Sequence, residues 1–138
     1  MGLNMFEVTE EPISPQELID KAKSNSSGCM VTYVGLIRNH SKGKAVFSVE
    51  YRDPEGNAGN KLQEIAREAQ RKWQVDTIAI THRIGKLKVG DINLVVAVAS
   101  AHRGEGFAAC QYIIDRFKDK LPTKKKETYQ DGGINIDE

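Results

Sequence analysis

From Ile92 to Ala99 every residue except Asn93 is apolar, and this run constrains the fold more than any other stretch of the chain. A strand with one wet face alternates apolar and polar residues, whereas a nearly continuous apolar run belongs to a strand buried among others. Ile92 to Ser100 is therefore expected to be a central strand. Thr77 to Arg83 reads as a second strand, joined to it through Ile84-Gly85-Lys86-Leu87-Lys88-Val89-Gly90-Asp91, whose Gly-Asp pair reads as a turn. Upstream, Cys29 to Ile37 is β-branched and aromatic and reads as a buried strand, while Ala45 to Tyr51 alternates as a half-buried one does. Asp53-Pro54-Glu55-Gly56 ends the latter, and residues 5–8 read as a short edge strand.

Helical signals separate these strands. Ser14 caps and Pro15 fits the first turn of a helix running to about Lys23, where Ser24-Asn25-Ser26-Ser27-Gly28 stops it. Leu62, Ile65, Ala66, Ala69 and Trp73 recur at three and four across Asn60 to Trp73, a stripe that packs on a sheet. A third helix is expected from Arg103 to Lys118, with Phe107, Cys110, Ile113, Ile114 and Phe117 inward and Pro122 beyond its end. Adjacent strands joined by turns favour an α+β fold with antiparallel or mixed pairing over a doubly wound sheet. The 138 residues fit one domain, and the polar tail, 123–138, is expected to be loose.

Charge and cysteine usage narrow the function. Lys and Arg number 20 against 19 Asp and Glu, a net charge of +1 that argues against bulk electrostatic binding of nucleic acid or membrane. Cys29 and Cys110 lie far apart and form no CxxC or Cys/His ligand spacing, so neither a disulfide scaffold nor a zinc site is supported. The amino end lacks a basic and apolar leader, Met1-Gly2 with Glu7 is a poor lipidation match, and no apolar stretch reaches the length that spans a bilayer. A cytosolic, soluble protein is expected. No phosphate loop, dinucleotide fingerprint, GxSxG, HExxH or EF-hand pattern is present, so a nucleotide cofactor is unsupported.

Three clusters carry candidate chemistry. Ser100-Ala101-His102-Arg103 runs from a strand into a helix start, where free N–H groups and the helix dipole suit a phosphate or carboxylate. A solvated turn with a capping histidine fits the same residues. Arg38-Asn39-His40, followed by the basic loop Ser41-Lys42-Gly43-Lys44, stands at another strand end; a charged, solubilising loop is the plainer reading. Lys118, Lys120, Lys124, Lys125 and Lys126 fall within nine residues. Lys118 shares a helical face with Phe107, Gln111 and Ile114, so its stem is expected to run along the inward stripe as a partly buried lysine. Arg103 and Lys118 are fifteen helical intervals apart, roughly 22 Å, and a small substrate touches both only if a symmetric dimer brings two subunits together. His82-Arg83, inside a strand, reads as structural.

Taken in order, Tyr33-Val34-Gly35-Leu36-Ile37-Arg38-Asn39-His40, Ile80-Thr81-His82-Arg83-Ile84-Gly85, Val89-Gly90-Asp91, Ser100-Ala101-His102-Arg103 and Asp115-Arg116-Phe117-Lys118 with Pro122 and Lys125-Lys126-Glu127 resemble the MoaE family, the large catalytic subunit of molybdopterin synthase. The resemblance covers about residues 29 to 127. It implies an α/β hammerhead fold and a sulfurtransferase of molybdenum cofactor biosynthesis that needs no metal and no cofactor. It also implies a central homodimer binding a small ubiquitin-like sulfur carrier at each end, a heterotetramer. The carrier's thiocarboxylate would supply two sulfurs to cyclic pyranopterin monophosphate, forming the dithiolene of molybdopterin.

Matched position by position, the resemblance makes Lys118 the essential pocket lysine, Lys125 a second lysine important for activity and Arg38 an arginine of the same pocket. His102 and Arg103 would bind the pterin phosphate across the dimer, and Tyr33 would line the pocket. The chain departs from the pattern at Thr123 and Lys124, where aromatics are usual, in the altered loop 52–57, and in a tail without the usual tryptophan and late basic residue. The alternative from a different class is a non-catalytic anion- or RNA-binding α+β module using the Lys118 to Lys126 cluster.

Overall fold

The computed structural model describes residues 4–137. In chain order they form β1 (Phe6–Thr9), α1 (Pro15–Ala22), β2 (Cys29–Leu36), β3 (His40–Ser41), β4 (Lys44–Arg52), α2 (Ala58–Lys72), β5 (Thr77–Arg83), β6 (Gly85–Lys88), β7 (Ile92–Ser100), α3 (Arg103–Asp119), β8 (Lys124–Tyr129) and β9 (Ile134–Asp137). The first helix begins where its cap residues place it: the Glu17 N–H is donated to Ser14 Oγ, and Pro15 occupies the first turn.

One sheet has the order β1-β5-β7-β2, with β1 parallel to β5 and the other neighbours antiparallel. β7 is interior, and its two faces are covered from opposite sides. Val95 and Ala97 pack with Ala79 beneath Leu18 and Ala22 of α1, while Leu94, Val96 and Val98 pack with Ile78 and Ile80 beneath α2 and α3. The apolar run follows from this double cover. The expectation that β2 is buried is corrected: it is the sheet's edge strand, half-buried, with Leu36 60% exposed. β-Branched and aromatic content marks a strand but does not tell an edge from a centre.

The third helix also differs from its sequence reading. Gly106, Ala109, Cys110, Ile113 and Phe117 face inward, but Phe107 is 61% exposed. The helix lies close on the sheet at Gly106, where a Cβ would stand 2.8 Å from Ser100 Oγ and 3.1 Å from Val31 Cγ2. Phe107, about 100° further round the helix, is thereby turned to solvent.

A second sheet has the order β3-β4-β8-β9, with β6 on the other edge of β4 from β8. The basic loop after His40 is a two-residue hairpin turn in which Lys42 and Gly43 both have positive φ, the geometry whose twist matches the flanking strands. The linker 84–91 holds more than a turn, because β6 pairs with Ser48 to Tyr51 before Lys88 and Asp91 close the Gly90 turn. The expected loose tail is likewise corrected: residues 124–137 are a β-hairpin, and Glu127 and Tyr129 are buried against β4. Four charged residues in a six-residue strand hide it from any hydropathy reading. A separate core of Ile37, Val46, Val49, Tyr51, Leu87 and Tyr129 holds this sheet together.

His82 joins the two sheets' cores. Its ring is fully buried, edge-on to Tyr51 at 4.8 Å and to Phe117 at 5.0 Å. Burial pushes its pKa down to about 4, against the raising effects of the Asn93 backbone hydrogen bond and the Asp53 charge. In an unfolded chain the imidazole titrates near 6.5. Between these values the unfolded state binds the extra proton, so His82 stabilises the fold fully above about pH 6.5 and loses that contribution as pH falls through about 4. The amount is on the order of 3 kcal/mol. We expect the urea midpoint to fall between pH 7 and pH 4.5 in the wild type, and to fall less steeply in His82→Phe; equal slopes for both would refute the assignment.

Candidate active site

Where β2 ends, the backbone of Ile37 is pinned by two bonds, its N–H to Asp91 O at 2.9 Å and its carbonyl from the Gly90 N–H at 2.7 Å. This fixes the next residue, Arg38, against the second sheet. Arg38, His40 and Ser41 then form one wall of a cavity of about 340 Å³. Tyr51 of β4, Asn93 of β7, Lys118 of α3, and Lys125 and Glu127 of β8 supply its other polar groups, over an apolar floor that includes Val46 and Val49. A contiguous hollow of about 620 Å³ shares Tyr51, Asn93, Lys118 and Lys125 and extends past Phe117, Thr123 and Asp137. Arg38, Lys118 and Lys125, which are eighty and seven residues apart in sequence, thus face one space in a single chain.

Lys118 is exposed rather than partly buried, which corrects the expectation drawn from the helical stripe. Of the residues on its face, Ile114 is half-buried against the core but Phe107 and Gln111 are exposed, and Lys118 itself lies at the cavity opposite β8. Among the described residues, neither Lys118 nor Arg38 has an ion-pair partner within 4 Å. Their charge is available to an incoming anion. Lys125 differs: Glu127 Oε2 stands 3.7 Å from its ammonium.

Glu127 is the residue that the sequence reading left without a role. It is 5% exposed, and its Oε1 accepts from Ser41 Oγ at 3.1 Å and from the Tyr129 hydroxyl at 3.0 Å. Burial, then the Glu127 hydrogen bond and charge, push the Tyr129 phenol up, which keeps it a donor. Burial also raises the Tyr51 phenol, whose oxygen accepts from Asn93 Nδ2 at 3.0 Å. A signal for Glu127 existed in the alternation Lys125, Glu127, Tyr129, which puts all three on one face of a strand. Reading the tail as loose concealed it.

The remaining candidates stand elsewhere. Tyr33 is outside the lining of both hollows and packs against the core beneath α2 and α3. His102 and Arg103 are exposed at the start of α3, where His102 is the cap residue and makes no side-chain cap bond. The helix separates them from Lys118 by roughly 22 Å. Cys110 is buried, and its thiol is pushed up to about 11, so it is no thiolate nucleophile at neutral pH.

Chemically, the cavity gathers the cations of Arg38, Lys118 and Lys125 with the buried carboxyl group of Glu127 behind them. Such an arrangement binds carboxylate or phosphate and stabilises negative charge that develops during acyl transfer.

Comparison with known proteins agrees in sequence and in fold. A family model described as MoaE protein matches residues 8–120. The molybdopterin synthase catalytic subunit of Halalkalibacterium halodurans is 37% identical over 132 residues, covering 96% of this chain and 85% of that protein. The crystal structure of molybdopterin synthase from Staphylococcus aureus superposes with a TM-score of 0.89 at 33% identity, covering 97% of each chain. A complex of subunits 1 and 2 of molybdopterin-converting factor from Helicobacter pylori shares the fold, with a TM-score of 0.73 at 14% identity, covering 94% of this chain and 88% of that one. Among the described residues no helix is long and apolar enough to cross a membrane. With the match spanning most of its length and the α+β architecture in place, the chain belongs to the MoaE family.

Proposed function

We propose that this chain is the catalytic subunit of a cytoplasmic molybdopterin synthase. It takes sulfur from the thiocarboxylated C-terminus of a small ubiquitin-like carrier subunit and delivers it to cyclic pyranopterin monophosphate, forming the molybdopterin dithiolene. The observation that carries this reading is the convergence of Arg38, Lys118 and Lys125 on one cavity in a chain of this family. Arg38 and Lys118, free of ion-pair partners among the described residues, hold the carrier's terminal carboxyl group and the anionic substrate. Lys118 then stabilises negative charge on the carbonyl oxygen under attack, or passes a proton as the carbon–sulfur bond forms. Lys125, fixed by Glu127, contributes field more than mobility.

The chain works as one domain and as part of a dimer. His102 and Arg103 cannot reach a small molecule held by Lys118 of the same chain, because α3 lies between them. A partner subunit that presents its own α3 start to this cavity supplies the phosphate site, and a carrier on each subunit completes a heterotetramer. An RNA- or anion-binding module is disfavoured by the +1 net charge and by the pairing of Lys125 with Glu127, which leaves the lysine cluster less basic than its sequence suggests.

The test mixes the purified chain with a thiocarboxylated carrier and the pyranopterin precursor and follows molybdopterin formation. Product that depends on the carrier supports the reading, and tight, salt-resistant heparin retention without product would favour the module instead. Lys118→Ala should lower turnover by at least about a hundredfold. Its folding free energy should change by no more than about 0.5 kcal/mol, because the side chain is exposed. Unchanged turnover would remove Lys118 from the mechanism. Arg103→Ala should weaken precursor binding more than carrier binding in calorimetry, and equal loss of both would contradict the phosphate role. Sedimentation should give twice 15.3 kDa, since a monomer at micromolar concentration leaves the site without its second half.

A further inference from the structure

Behind the wall of the larger hollow lies the ring of His82. His82 does not line the hollow, yet it touches four residues that do. Its Nδ1 lies 2.8 Å from the Asn93 carbonyl and its Nε2 lies 2.9 Å from Thr123 Oγ1. Its edges meet the rings of Tyr51 and Phe117. Asn93 closes the circuit by donating its side-chain amide to the Tyr51 hydroxyl.

The hydrogen-bond roles follow from the acceptor at one end. A backbone carbonyl only accepts, so Nδ1 carries the proton. Burial keeps the ring neutral, so Nε2 has a lone pair, and the Thr123 hydroxyl must donate to it. Thr123 belongs to the short connection between α3 and β8, five residues after Lys118 and two before Lys125. Pro122 beside it is buried and offers no N–H, so this hydroxyl supplies a hydrogen bond to the first sheet where Leu121 supplies only apolar packing.

We infer that His82 is a positioning residue, whose Nδ1–H form clasps Thr123 and the backbone of Asn93 and so sets Lys118 and Lys125 at the distance from each other that the reaction requires. The inference rests on the sulfur-transfer reading for its consequence but not for its geometry. A catalytic lysine displaced by an ångström loses rate without losing substrate, because the binding contacts stay while the near-attack geometry is lost.

The experiment compares Thr123→Val, which keeps the shape and removes the donor, with Thr123→Ser, which keeps the donor. In the synthase assay Thr123→Val should lower kcat by about tenfold or more, with KM for the precursor within about threefold of wild type, and Thr123→Ser should recover most of the rate. A merely structural role would lower the urea midpoint of Thr123→Val and leave kcat intact at temperatures where the variant is folded; that result overturns the inference. Loss of rate in both variants overturns it too. If the wild-type chain makes no product, the sulfur-transfer reading falls and the clasp is judged separately. Ring-nitrogen NMR should then show Nδ1 protonated at pH 7, and amide exchange in residues 121–126 should quicken in Thr123→Val but not in Thr123→Ser. Exchange that is the same in all three proteins overturns the clasp.

Discussion

A strand with no wet face must be covered twice, and the placement of everything else follows from how β7 is covered. From Leu94 to Ser100 each of its residues is buried. One face is roofed by α1, the other by α2 and α3, and hydrogen bonds on both edges go to β5 and β2. Losing a methylene in such a close-packed layer costs on the order of 1 kcal/mol, so these positions tolerate little change. Of the strand's two polar residues, Ser100 is buried at the far end and Asn93 stands at the end where cover stops, and there the cavity begins.

The cavity lies where the two sheets meet, between Asn93 of the first and Tyr51, Lys125 and Glu127 of the second. The end of α3 passes over the junction and leaves Lys118 at the mouth, while β8 brings Lys125 and Glu127 from the other side. A buried carboxylate is costly unless it is hydrogen-bonded and paired. Glu127 meets both conditions through Ser41, Tyr129 and Lys125, and in doing so it anchors the hairpin that the tail forms. Electrostatics and folding are coupled here: the carboxyl group that ties β8 to Ser41 also pairs with Lys125 and tempers the basic site.

Much of the architecture was legible along the chain. Ser14-Pro15 marks α1, the three-and-four stripe marks α2, and the boundaries of β5 and β7 coincide with those read from apolar content. Strands rich in lysine were not legible, because β6 and β8 carry few apolar residues among their charges, and pairing with β4, and for β8 with β9 as well, makes them strands. Phe107 was misplaced because a helix's apolar residues do not say which turn lies closest to the sheet. Thr123 carries no signal along the chain, and only the folded chain shows its hydroxyl meeting His82.

By itself the sequence determined where the three helices and the strands β5 and β7 lie, the α+β class, and the family to which the chain belongs, since these depend on local periodicity and on the order of short motifs. Only the tertiary structure decided that Arg38, Lys118 and Lys125 share one cavity, that Tyr33 and Arg103 stand apart from it, and that Glu127 is buried beside Lys125. The reason is physical: periodicity reports which side of an element is dry, whereas the neighbours of a charged group are set by contacts between residues distant in sequence.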